Sequence, residues 1–139
     1  MSSAEENVAV VRAGLDAWTR GDLDAVMAVL DPEVEVHTPP EMVNAGTYRG
    51  HDGYEHWMGQ WMEAWAEFEL EVRGAEPVGE RHVVVDLHQR ATGRGSGVEV
   101  EMQIAQLYEV RDGRAVRFHI YPTRERALEV ALEGEAERA

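Results

Sequence analysis

The sequence contains no cysteine and no lysine. Without thiols there is no disulfide, thiolate zinc site, iron–sulfur ligation or cysteine nucleophile. Without lysine there is no Schiff-base amine and no P-loop lysine, and all 13 basic residues are arginine. Positive charge is scarce altogether, since 13 basic against 27 acidic residues leave a formal net charge of −14. Such a field repels nucleic-acid phosphates and anionic lipid surfaces, and no basic run offsets it locally. Neither nucleic acid nor membrane is an expected partner. Long apolar runs are missing too: no stretch approaches the ~18 residues of a membrane-spanning helix. The start, Met1-Ser-Ser-Ala-Glu-Glu, has neither the basic nor the apolar region of a leader, and a cytoplasmic location is the expectation.

What remains is an ordinary globular composition, 44% hydrophobic and 29% charged over 139 residues. That length suits one domain, 1–139, able to bury a core without covalent staples. Val8, Val11, Leu15 and Trp18 recur at helical spacing, and Gly21 and Asp22 stop that helix and cap a second, whose stripe is Leu23, Val26, Met27 and Leu30. Asp31-Pro32 is expected to end it. Val34 and Val36 then alternate with Glu35 and His37 in a strand that Pro39-Pro40 closes, a loop runs to Gly46, and Thr47–Gly50 reads as briefly extended. A third helix from about Asp52 carries Tyr54, Trp57, Met58, Trp61, Met62 and Trp65 on one side. Strands follow at about Phe68–Arg73, His82–Arg90, Val98–Val110 and Arg114–Tyr121, the last three joined by hairpin-like turns at 93–97 and 111–114. Thr123 caps a closing helix to about Leu132, and the residues from Gly134 are expected to fray. Helices followed by antiparallel strands predict an α+β domain.

In chain order, Trp18-Thr-Arg-Gly-Asp-Leu-Asp-Ala, Leu30-Asp-Pro-Glu-Val-Glu, Tyr48-Arg-Gly-His-Asp-Gly, Gly93-Arg-Gly-Ser-Gly-Val-Glu-Val and Tyr108-Glu-Val-Arg-Asp-Gly-Arg span nearly the whole chain. This succession resembles SnoaL-like proteins of the nuclear transport factor two superfamily, relatives of ketosteroid isomerases, polyketide cyclases and limonene epoxide hydrolase. The resemblance implies a cone-shaped, curved antiparallel sheet with helices packed on its concave face around an apolar pocket. It also implies a homodimer formed through the convex face. Proton-transfer chemistry such as isomerisation, cyclisation or hydration is implied as well, but fold alone does not settle reaction.

Thr38 stands where the isomerases carry their aspartate base, Thr123 where many relatives carry an acid, and Asp86 lies on the polar side of its strand; none completes a known catalytic set. His37, His119 and Tyr121 are the candidate proton-handling groups, although alternation points all three outward unless a bulge reverses the parity. Gln89 and Gln106 fall in step with inward-facing residues, where they either satisfy one another or orient a ligand carbonyl or hydroxyl. Thr38, Tyr48, Trp57, Met58 and Trp61 complete the ligand-binding candidates, with Trp57, Trp61 and Met58 serving either as plain core or as pocket wall. His51 and His56 are five apart and His82 and His88 lie far along one strand, so no metal is expected. Gly93–Gly97 joins two strands rather than a strand and a helix, and no nucleotide or other cofactor is expected.

The leading expectation is a cofactor-independent protein that binds a small hydrophobic, ring-containing molecule and, if it is an enzyme, isomerises, cyclises or hydrates it by proton transfer. A non-catalytic binding or dimerisation module is the alternative. A purely structural domain is the third reading, favoured by an interior cavity below the ~300 Å³ low end of ligand sites.

Overall fold

A computed structural model describes residues 3–38 and 46–137. The elements are α1 (Ser3–Thr19), α2 (Leu23–Ala28), β1 (Leu30–Thr38), β2 (Gly46–Arg49), α3 (Gly50–Ala64), β3 (Trp65–Val78), β4 (His82–Gly93), β5 (Glu99–Arg111), β6 (Arg114–Tyr121) and α4 (Arg124–Glu137). The six strands form one sheet in the order β2-β1-β6-β5-β4-β3. Every pair is antiparallel except β1 with β6. Among the described residues no helix is long and apolar enough to cross a membrane.

Local chemistry explains the junctions. Gly21 at φ +72° closes α1 in a Schellman motif: its N–H bonds to Trp18 O at 3.1 Å and that of Asp22 to Ala17 O at 2.9 Å. Asp22 then caps α2, accepting from Ala25 N–H at 3.2 Å. The expectation that Asp31-Pro32 ends the second helix needs correction. The helix stops at Ala28, and Leu30 is already the first residue of β1, paired with Ala115 of β6. Asp31 Oδ1 accepts from Glu33 N–H at 2.8 Å, and regular pairing resumes only at Glu35. Pro32 therefore sits where the ladder is interrupted and its missing donor costs nothing. The stretch Pro39–Ala45, with the two prolines expected to close the strand, lies outside the described residues.

The third helix starts at Gly50 rather than Asp52 and passes directly into β3 at Trp65, so the last tryptophan of the helical stripe is a strand residue. The strand then runs to Val78, well past Arg73, with register shifts against β4 near both ends of the expected segment. Arg94 holds this corner. Its backbone N–H bonds to Ala64 O at 3.2 Å, and its guanidinium donates to Glu63 O at 3.1 Å and Trp65 O at 3.0 Å, covering carbonyls that α3 leaves open.

Two apolar clusters lie on opposite sides of the sheet. The larger joins α1, α2 and α3 to inward residues of the strands, including Val34, Val36, Val83, Val85, Leu87, Ile104, Phe118 and Ile120. The smaller lies under α4, where Ala127 and Ala131 meet Val84, Ala105 and Leu107. Helices on the concave face are thus joined by a fourth on the other face. The closing helix runs past Leu132 to Glu137. Glu135 explains why: it bonds to His82 and accepts from Glu80 N–H, while Gly134 leaves room for the His82 ring, which a Cβ at that position would approach to 3.2 Å. Thr123 caps α4 as expected, accepting from Arg126 N–H at 3.2 Å.

Candidate functional site

Between the three N-terminal helices and the sheet lies a cavity of about 60 Å³. Its walls come from α1 (Val10, Val11, Gly14, Leu15, Trp18), α3 (Tyr54, Trp57, Trp61) and strands β3 to β6. Of the chain's four Trp, four Tyr and two Phe, seven line it: Trp18, Tyr54, Trp57, Trp61, Phe68, Tyr108 and Phe118. The rings pack on one another in edge-to-face and stacked pairs. Trp18 meets Phe68 at 5.1 Å, Trp61 meets Phe68 at 5.8 Å, Trp57 meets Phe118 at 5.5 Å, and Tyr108 stacks on Phe118 at 4.9 Å. Trp18, Phe68 and Leu70 also border an open groove of about 930 Å³ that carries Arg20, Arg73, Arg90 and Arg94 among several glutamates. The Trp18–Phe68 pair therefore separates an apolar interior from a charged vestibule.

Among the described residues no Asp, Glu, Arg or His lines the cavity. Its polar groups are two amides and two phenols besides the indoles. The phenol of Tyr108 donates to Gln106 Oε1 at 2.7 Å. Burial holds the Tyr54 and Tyr108 hydroxyls well above the ordinary phenol range; at Tyr54 the bonded Trp18 indole pulls weakly the other way. Both stay neutral at any physiological pH. Gln89, only 5% exposed, keeps its amide oxygen buried with no hydrogen-bond partner among the described residues. The two glutamines do not satisfy one another. Gln89 is opposite Met102 and Gln106 opposite Val85, four positions away on the same ladder, or about 13 Å.

The other candidates are dispersed. Trp57 and Trp61 line the cavity, whereas Met58 packs against the core without lining it. Thr38 is buried at the end of β1 with its hydroxyl unpaired among the described residues, outside the cavity lining. Tyr48 is half-buried on β2, its hydroxyl donating to Gln60 Oε1 at 3.1 Å. His37, His119 and Tyr121 share the opposite face, because β6 keeps its register with β5 from Arg117 to Tyr121; the one shift in this pairing lies earlier, between Ala115 and Arg117, and does not turn these residues inward. His37 and His119 are direct partners across the parallel pair and stack at 4.3 Å. Glu35 accepts from His37 Nε2 at 3.0 Å, which holds its carboxyl below the ordinary range, and Thr47 Oγ1 lies 3.1 Å from Nδ1. The His119 ring, hydrogen-bonded to the Tyr121 hydroxyl at 3.3 Å, is held neutral by burial beside His37 and Arg117, its pKa lowered to about 4. Among the described residues no group of three His, Asp or Glu is placed to hold a metal.

Two wall residues, Tyr54 and Tyr108, escape sequence reasoning as polar groups of the site. Tyr108 shares the parity of Gln106, two positions before it, and that signal was available.

A SnoaL-like domain model matches residues 11–118. The chain belongs to the SnoaL-like domain family. No curated protein sequence matches it significantly. Among solved structures, this SnoaL-like domain superposes on an NTF2-like protein of unknown function from Burkholderia pseudomallei with a TM-score of 0.78 and 26% identity, over 94% of this chain and 98% of the other. It also superposes on a putative SnoaL-like polyketide cyclase from Jannaschia sp. (TM-score 0.76, 18% identity, 95% and 94% covered). A third similar structure is TerC co-crystallised with polyporic acid (TM-score 0.76, 21% identity, 92% and 98% covered). These likenesses establish the cone-like, nuclear transport factor two-like fold of the SnoaL-like domain. The reaction is a separate matter.

Proposed function

We propose that this SnoaL-like domain binds a small, uncharged, ring-containing hydrophobic molecule in the cavity between α1, α3 and the sheet. The observation that carries the reading is the wall itself, seven aromatic rings with two amides and, among the described residues, no charged side chain. Aromatic walls offer flat apolar area, and a few fixed hydrogen-bonding groups give orientation. An ion entering such a space loses its hydration without gaining a partner, a cost of several kcal/mol, so a neutral ligand is selected.

Binding rather than proton transfer is the primary role in this reading. A carbon acid needs a base near the operating pH. Among the described residues the titratable groups that line the cavity are phenols held in the protonated form, while His37 and His119 lie across the sheet. The homodimer implied by the resemblance is proposed on the part of the opposite face that α4 leaves open, around Glu35, His37 and Thr47. Light scattering giving about twice the 15.6 kDa chain mass would support it.

Calorimetric titration with toluene, benzoate and benzylammonium tests the main reading. Saturable one-site binding of toluene and none of either ion is expected. Equal binding of all three, or of none, contradicts it. The volume favours a second reading: about 60 Å³ is less than half of the ~150 Å³ dry cavity that admits benzene, and far below ordinary ligand sites. In that reading the rings simply fill the interior, and no titration saturates.

A further inference from the structure

Resting on the binding role proposed above, we infer that Gln89 selects a ligand whose ring carries a hydrogen-bond-donating group, a ring hydroxyl above all. The cross-strand neighbours of Gln89 are Leu70 on β3 and Met102 on β5, and its same-face neighbours along β4 are Leu87 and Ala91. None of these side chains has a hydrogen to donate. The amide oxygen is consequently buried in an apolar wall with its lone pairs unused. Leaving such an acceptor unmet is costly in a filled core.

The contrast with Gln106 is informative. That amide lies in the same wall and is matched from within the chain, two residues along its own strand, by the Tyr108 hydroxyl at 2.7 Å. At Gln89 the equivalent position two residues on is Ala91. One end of the cavity therefore already has its hydroxyl, while at the other Gln89, also a lining residue, has an amide oxygen with no partner among the described residues. The complement is a neutral donor: a hydroxyl or N–H on a ring that lies between the two glutamines against Trp57, Trp61 and Phe118. A cation is excluded as donor by the uncharged lining. A ring bearing only an ether or ketone oxygen would set acceptor against acceptor.

Toluene, phenol and anisole separate these terms, because they share a ring and differ in having no polar group, a donor, or an acceptor alone. In a purely apolar site phenol binds more weakly than toluene, since its hydroxyl loses water without replacement. The wild-type protein is expected to bind phenol at least as tightly as toluene and anisole more weakly than either. Gln89→Leu is expected to weaken phenol by about tenfold, the equivalent of one hydrogen bond, while leaving toluene within about threefold. Retained toluene binding and an unchanged or raised Tm show that the variant is folded. If wild type prefers toluene to phenol, or Gln89→Leu leaves the phenol affinity unchanged, the role of Gln89 is overturned and the apolar binding role stands. If none of the three saturates, the binding role itself falls and this inference with it.

Discussion

His119 gives the clearest consequence of a single side chain. Its pKa is lowered to about 4 by burial and by His37 and Arg117, whereas an unfolded histidine titrates near 6.5. The native state thus prefers the neutral ring. Below pH ~6.5 the unfolded chain takes up a proton that the native protein refuses, so the stability contributed is complete above that value and lost as pH falls towards 4. Urea unfolding of the wild type at pH 7, 5.5 and 4.5 is expected to show this decline, and His119→Gln to flatten it. Equal slopes in the two proteins would contradict the assignment. The Glu35 and Glu135 carboxyls, both held below their ordinary value by histidine bonds, lose their contribution at lower pH, which keeps the two effects apart. At Glu135 the bonds outweigh a burial that alone would raise it. At this scale the sequence was legible wherever strict alternation held. Gln89 and Gln106 could be turned inward, and His37, His119 and Tyr121 outward, from their neighbours alone. The Tyr108–Gln106 bond lies within one strand and its parity signal was available, whereas the unmet oxygen at Gln89 was not legible, because its neighbours Leu70 and Met102 are set by cross-strand register, which one strand's pattern does not contain.

The secondary-structure elements were recognisable from period and caps, and their ends less so. Leu30 fits a helical stripe and a strand equally well, and what decides is the distant pairing with Ala115. Trp65 was similarly ambiguous: the turn between β4 and β5, brought back against α3 by Arg94, ends the helix one residue before it. Arg94→Ala is accordingly expected to cost roughly 1 kcal/mol and to speed amide hydrogen exchange at the α3–β3 junction without affecting α4. Uniform exchange changes would argue against that corner's being held locally. Asp22→Ala should likewise cost about 1 kcal/mol, read by chemical denaturation, because it removes the acceptor for the Ala25 N–H at the start of α2. The length of α4 escaped the reading for the same reason as the strand ends. Gly134 looks like a stop, but its lack of a side chain is what admits His82.

For the molecule as a whole, the order of helices and strands and the succession of family motifs made the fold legible before any coordinates. The degree to which the interior is filled was not legible, since it depends on how seven rings pack, not on which residues face inward. The central claim is that this interior receives a neutral ring. Methyl-resolved NMR during a toluene titration tests it most directly. Saturable shifts are expected at Val11, Leu15, Ile104 and Ile120, which line the cavity, with little change at Val84 and Leu107 beneath α4 or at Val130 on α4. Shifts centred on the α4 side, or none that saturate, would contradict the account.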